Sequence, residues 1–289
     1  MKQALSARGP ILRAAGRRPS VRTTVVAVAC AVMFLALVLA ALHSAITPDD
    51  PTKSLAAPNS SPSAAHPFGT DSLGRDVLSR IMAGTRYTMV LAVGSTAVSL
   101  VVGTVLGLLA GYFVGWTDTA VSRLVEMFLT IPHLFLAILL VAFLGNQWWV
   151  VVVVLGLTMW PVTARLARAE ALRLRGREFV EASRIAGVGG LRVIVRHVAP
   201  NGLGPVVANA SMQMAEAVLL SAGLSYIGLG DPSQISWGGM IQEAQGSFQT
   251  APWAIVCPGA ALTVLLLSLH TLGDVAVRVL GGGNEADIV

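Results

Sequence analysis

The stretch ARLARAEALRLRGREFVEASRIAGVGGLRVIVRHVAP, residues 164–200, decides how this chain is read. Arg165, Arg168, Arg173, Arg175, Arg177, Arg184, Arg192 and Arg196 stand against only Glu170, Glu178 and Glu181. Apolar segments of membrane-spanning length lie on both sides of the run. Arginine in short loops stays on the cytoplasmic side of a bilayer, so the pattern predicts a cytosolic loop at 165–200. A polar loop that holds a helix between two spans is a place to meet a soluble partner.

Composition agrees with a membrane setting. The chain has 289 residues, 54% hydrophobic and only 12% charged. A soluble domain carries about 25% charge, so this is an integral membrane protein. The net charge of +5 comes from two patches, the N-terminal tail and the loop. Basic patches beside apolar spans set orientation, and they argue against nucleic acid as a partner. Cys30 and Cys257 sit far apart in apolar stretches, as buried small hydrophobes rather than metal ligands. The only lysines are Lys2 and Lys53, and neither stands in a G-x-x-x-x-G-K-[ST] loop. The chain therefore has no Walker-type ATP site of its own. It also lacks H-E-x-x-H, C-x-x-C and G-x-S-x-G, so nothing reads as an enzyme active site.

Segment lengths predict an all-α protein with six transmembrane helices. Residues 1–22 form a cytosolic basic tail and 23–46 a first span, longer than the ~20 residues a helix needs. Residues 47–86 form an extracytoplasmic linker ending in a short surface helix over 76–83. A five-helix core follows over 87–280, with spans at 87–115, 124–145, 148–164, 201–227 and 253–279. Residues 281–289 form a cytosolic tail. With the N-terminus inside, alternate crossing places 165–200 and the C-terminus inside and 228–251 outside. That outer loop carries Asp231 and Glu243 and no Lys or Arg.

Within the basic loop the spacing predicts a helix over 177–186. Phe179, Ala182, Ser183 and Ala186 fall on one face at i, i+3, i+4, i+7. Glu178 and Glu181 lie near its start, where the helix dipole favours negative charge. Gly187, Gly189 and Gly190 stop it, and a second helix is expected over 191–198. Such a basic amphipathic segment also fits a helix lying on a lipid surface.

The pattern resembles the EAA loop of the membrane subunits of bacterial ATP-binding-cassette importers. It runs Glu181-Ala182-Ser183, then Gly187, then Val198-Ala199-Pro200-Asn201. Ser183 replaces the family's third alanine, and Val198 and Ala199 fill its late apolar sites. Three more blocks are similar to the C-type permease subunit of dipeptide and oligopeptide importers. They are His66-Pro67-Phe68-Gly69-Thr70-Asp71 with Leu73-Gly74-Arg75-Asp76, Gly223-Leu224-Ser225-Tyr226-Ile227-Gly228 with Ser236-Trp237-Gly238, and Leu272-Gly273-Asp274.

The resemblance implies a type I importer permease fold in the bacterial inner membrane. It implies an ATP-driven importer of di- or oligopeptides, in which this chain supplies half of the translocation pore. A nickel or glutathione importer of the same branch is the alternative, and a membrane scaffold for a cytosolic partner is the rival class. It further implies a homologous sister permease, two cytosolic ATP-binding-cassette domains and an extracytoplasmic solute-binding protein. ATP and Mg would belong to the partner ATPases, with no cofactor or metal in this chain. The coupling helix would use Glu181, Ala182, Ser183 and Gly187, flanked by Phe179 and Arg184.

Three further sets are read from position and spacing. Asp71, Arg75, Asp76 and Trp237 are either a docking surface for the binding protein or a solvated cluster of local ion pairs. Asn209, Gln213 and Glu216 share one helical face at i, i+4, i+7 and either line the pore or bridge helices. Glu216 needs a partner, a proton or water, and is expected near the outer end of its span. Glu126, Thr130 and His133 repeat the spacing, with His133 as a packed histidine.

Overall fold

The computed structural model describes residues 50–281 and, before them, Val26, Val28 and Cys30–Met33. Among the described residues all regular structure is helical. The tails at 1–22 and 282–289 and nearly all of the expected span at 23–46 lie outside the described residues. Three helices are long and apolar enough to cross a membrane, and five segments qualify when each of two bent pairs counts as one.

Helix α1, Val77–Phe113, is 37 residues long. At 1.5 Å per residue it runs about 55 Å, well beyond a hydrocarbon core of about 30 Å. The surface helix expected over 76–83 and the span expected from residue 87 are thus one element. Asp76 caps it, accepting the Ser79 N–H at 2.7 Å. Gly84 marks a close approach rather than a break. A Cβ there would lie 2.9 Å from the Trp237 ring.

Helices α2 (Trp116–Thr130) and α3 (His133–Leu144) meet at 88°, where hydropathy alone predicts one straight span. Pro132 lacks an N–H and pushes Ile131 out of the helical region, to φ −96° and ψ 127°. Helix α4, Trp148–Arg175, continues eleven residues past the expected end, because no glycine or proline follows Pro161 until Gly176. The first third of the arginine run is therefore a helical extension of a span.

Helix α5 (Glu178–Ile185) follows, then α6 (Gly190–Val193), a π turn over Ile194–Val198 and α7 (Ala199–Gly202). This last run bends by 64° into α8, Gly204–Tyr226. Helix α9 (Trp237–Ala244) lies in the loop before α10, Trp253–Gly281.

The centre of the fold is the α1–α4 pair. Gly103, Gly107 and Gly111 form a stripe on α1 with α4 directly against it. A Cβ at Gly107 would stand 2.3 Å from the Ala164 carbonyl oxygen. Lipid tails give no hydrophobic drive between spans, so close backbone approach and dispersion hold such pairs. One buried cluster joins α1, α8, α9 and α10 through Val77, Met89, Val218, Trp237, Met240 and Leu265, and Met33 of the first segment packs on it. A second joins α1, α3, α4 and α8, and a third packs the arginine-rich end around Leu174, Val180, Val193 and Val198.

Candidate functional site

The projecting loop is built around α5. Its one buried residue is Val180, which packs with Leu174 of α4 and with Val193 and Val198. The helix is thereby bolted to the ends of two spans. Its outer face leaves Phe179 43% and Ile185 83% exposed. Glu178 and Glu181 stand in the first turn, and Arg184 in the last, as the macrodipole prefers. Glu181, Ala182 and Arg184 are exposed, and Ser183 folds back to donate its hydroxyl to the Phe179 carbonyl at 2.9 Å.

Gly187 ends α5 at φ +76°, with no atom within 4 Å of an added Cβ. The Gly187 N–H donates to Arg184 O at 3.0 Å, and the Val188 N–H to Ser183 O at 3.1 Å. Those two bonds define a Schellman turn, which calls for a left-handed residue at Gly187. The α1 end abuts this turn: an open groove of about 360 Å³ is lined by Tyr112, Phe113, Arg175, Arg184, Gly187, Val188 and Gly190.

At the opposite end, four expected site residues are gathered, mostly inside the structure. Asp71 Oδ2 accepts from Arg75 Nε at 2.7 Å and from Arg80 Nη1 at 2.5 Å. Glu243 Oε2 accepts from Arg75 Nη2 at 2.6 Å and from Arg80 Nη1 at 2.9 Å. Asp76 is buried in its capping role and pairs with His66 at 3.0 Å. Trp237 is buried and donates to Ile81 O at 3.0 Å. Burial pushes the Asp71 carboxyl up, but the N–H groups of Arg75 and Leu73 and the two guanidinium groups outweigh it and hold it below its ordinary value. Glu243 is likewise raised by burial and lowered further by Arg80 and Arg75, ending below its ordinary value. Nothing in the sequence pairs Glu243 with Arg80, since α9 and α1 are joined only by folding.

The polar face of α8 splits into two roles. Gln213 is buried, donating Nε2–H to Thr163 Oγ1 at 2.7 Å and accepting from Ser99 at 3.4 Å. Glu216 meets His133 Nδ1 at 2.8 Å, with the Glu216 side chain 40% exposed and the His133 side chain 19%. Glu216 stands near the middle of the 23-residue helix, about 18 Å along the axis from Gly204, and not beside the outer loop. Asn209, Gln213 and Glu216 line an open groove of about 380 Å³ with Val162, Met212, Leu219, Leu266 and His270. Glu126 and Thr130 do not share a helix face with His133, because the bend intervenes. Glu126 turns instead to Arg123 at 2.9 Å. The sequence carried no signal for Arg168, which joins α4 to Asp118 of α2 at 2.5 and 2.8 Å.

Helical spans, a projecting loop packed against their ends and a half-open polar face describe a polytopic membrane subunit. The chain belongs to the family described as binding-protein-dependent transport system inner membrane component, which matches residues 103–282. It is 40% identical over 223 residues to a Brucella suis biovar 1 (strain 1330) protein named as a peptide permease, covering 76% of this chain and 74% of that one. Identity is 35% over 214 residues to a dipeptide transport system permease of Alkalihalophilus pseudofirmus, covering 74% and 70%. It is 36% over 217 residues to a glutathione transport system permease of Pectobacterium atrosepticum, covering 75% and 72%. An inward-facing structure of the MetNI methionine ABC transporter matches with a TM-score of 0.57 at 21% identity, covering 71% of this chain and 96% of that chain. The fold is thus that of type I ABC importer permeases.

Proposed function

We propose that this chain is one of two membrane permeases in an ATP-driven bacterial importer of short peptides. The sister permease supplies the other half of the pore, and two cytosolic ATP-binding-cassette domains hydrolyse ATP with Mg. An extracytoplasmic binding protein delivers the solute. The arginine-rich end faces the cytosol, with both termini on that side, as the excess of arginine over acid in 165–200 favours.

The observation that carries this reading is the seat of α5. A short exposed helix, anchored by Val180 and closed at Gly187, is placed to pass a push to α4 and, through α6 and the π turn, toward α8. Phe179, Glu181, Ala182, Ser183 and Arg184 then form the face toward the ATPase. Closure of the ATPase pair moves that face, and the rigid spans pass the motion to the pore. The Asp71, Arg75, Arg80 and Glu243 network braces the outer shell that receives the binding protein, with Asp76 and Trp237 holding it from within.

The relatives named for peptides and dipeptides support the substrate class, and the glutathione permease relative supports glutathione as the second reading. The test is purification of the chain from its native membrane, followed by uptake into vesicles. Co-purified ATPase and binding protein with ATP-dependent uptake of labelled peptide bear it out. A chain that brings down neither partner is a scaffold.

A further inference from the structure

Glu216 has one side turned to His133 and the other open to the groove between α4, α8 and α10. A carboxylate this far from either helix end is expensive unless something positive or hydrogen-bonding holds it. His133 stands at the first position of α3, just past the 88° bend. An ionised Glu216 only accepts, and the imidazole Nδ1 would then carry the proton in their 2.8 Å contact. The pair is thus the polar tie between the α2–α3 bend and α8. The ionisable groups facing this place are His133, Glu216 and, across the groove, His270 of α10. Glu126 is turned away to Arg123. The walls beside Glu216 are mostly apolar, from Val162, Met212, Leu219 and Leu266, with the Asn209 and Gln213 amides on the same helix.

This arrangement has a donor on one side of Glu216 that can be given up and an open side that admits another. We propose that Glu216 exchanges partners during transport: the protonated amino group of the entering solute takes the place of His133 on the carboxylate. The exchange rests on the peptide reading above, since a peptide's amino end is the cation concerned. The carboxylate keeps a hydrogen-bond donor in both states. Release of His133 leaves α3 held to α8 by apolar packing alone, which ties solute arrival to movement of the helices. The apolar walls take the side chain next to the amino group.

The test uses the assembled permease–ATPase complex in lipid nanodiscs, without the binding protein, so that its selection is bypassed. Cys30 and Cys257 are replaced by serine, and Met212→Cys is placed on the groove wall. Modification by a small water-soluble thiol reagent is timed with alanyl-alanine and with its N-acetylated form. The free dipeptide should slow modification and the acetylated form should not. Glu216→Gln should abolish that difference. His133→Phe removes the competing donor and should lower the half-protecting dipeptide concentration by about tenfold, about 1.4 kcal/mol. A merely structural pair would not move the discrimination between amine and amide. Three results overturn the proposal: equal protection by both peptides, discrimination retained in Glu216→Gln, or a Met212→Cys thiol that stays unreactive throughout the ATP cycle. ATP-driven peptide uptake by the complete system, measured alongside, keeps this result separate from the peptide reading: uptake without discrimination sinks the exchange alone.

Discussion

The Val188 N–H reaches back over Gly187 to the Ser183 carbonyl at 3.1 Å, and that bond closes the projecting helix. Gly187 sits at φ +76° with open space around it. Backbone conformation, not crowding, is what any other residue would meet there. The left-handed region costs an L-residue about 1–2 kcal/mol, and a β-branched side chain more.

Gly187→Val should therefore open the turn while leaving the spans intact. The expected outcome is an assembled complex whose ATP hydrolysis no longer responds to solute. Gly187→Asn, which tolerates the same φ, should keep most of the response. ATPase assays with and without loaded binding protein measure both, and a full response from the valine variant would remove α5 from the coupling role.

The stripe on α1 gives a sharper steric contrast. Gly107→Val places a Cβ 2.3 Å from the Ala164 carbonyl oxygen, with the Ala167 Cβ at 2.8 Å, the Arg168 nitrogen at 3.0 Å and no flexible end to yield. The α1–α4 pair must separate, so purified yield and Tm in detergent should fall steeply. Gly176→Ala meets nothing within 4 Å and should leave Tm unchanged.

The outer ion network predicts a pH dependence of defined sign. The folded carboxyls of Asp71 and Glu243 titrate below their ordinary values. Their contribution is complete above the unfolded pKa of about 4 and is lost as pH falls through the lower folded values. Stability attributable to the network should be flat between about pH 5 and 7 and decline below about pH 4. Asp71→Asn leaves Arg80 buried with half its carboxylate partners, costing about 3 kcal/mol at neutral pH. The difference in Tm between wild type and variant should shrink on acidification. A constant gap across that range would count against the network.

Orientation is tested by thiol labelling in a cysteine-free background. Ser63 and Ala182 are both exposed and lie at opposite ends of the fold. In intact cells an impermeant reagent should modify Ser63→Cys and spare Ala182→Cys until the membrane is opened. The reverse pattern would invert the topology.

Much of this was legible in the residues themselves. Apolar segment lengths gave the helical membrane class, and the arginine run marked the loop. The Glu181–Gly187 spacing located α5 within a residue at each end, because caps and stop signals act locally. The left-handed glycine was legible for the same reason. Local rules also explain the errors. Hydropathy averages over a window, so it joined α2 to α3 through Pro132, ended α4 at its last apolar turn, and cut α1 at Arg86.

What the sequence determined by itself was membership of a membrane bundle, the place of its loop, and the demand that Glu216 find a partner. Which partner it found was decided only by tertiary structure. His133 lies 83 residues away, on the far side of a bend, and nothing in its own neighbourhood marks it as the donor. Asp71 and Glu243 converge on Arg80 in the same way, and Gln213 turns inward to Thr163 although its spacing matched its neighbours on α8. Period and composition fix which face of a helix is polar. The rotation and tilt that decide what that face meets come from side-chain packing between helices, where Gly103 lets α4 close on α1 and so carries Thr163 to Gln213.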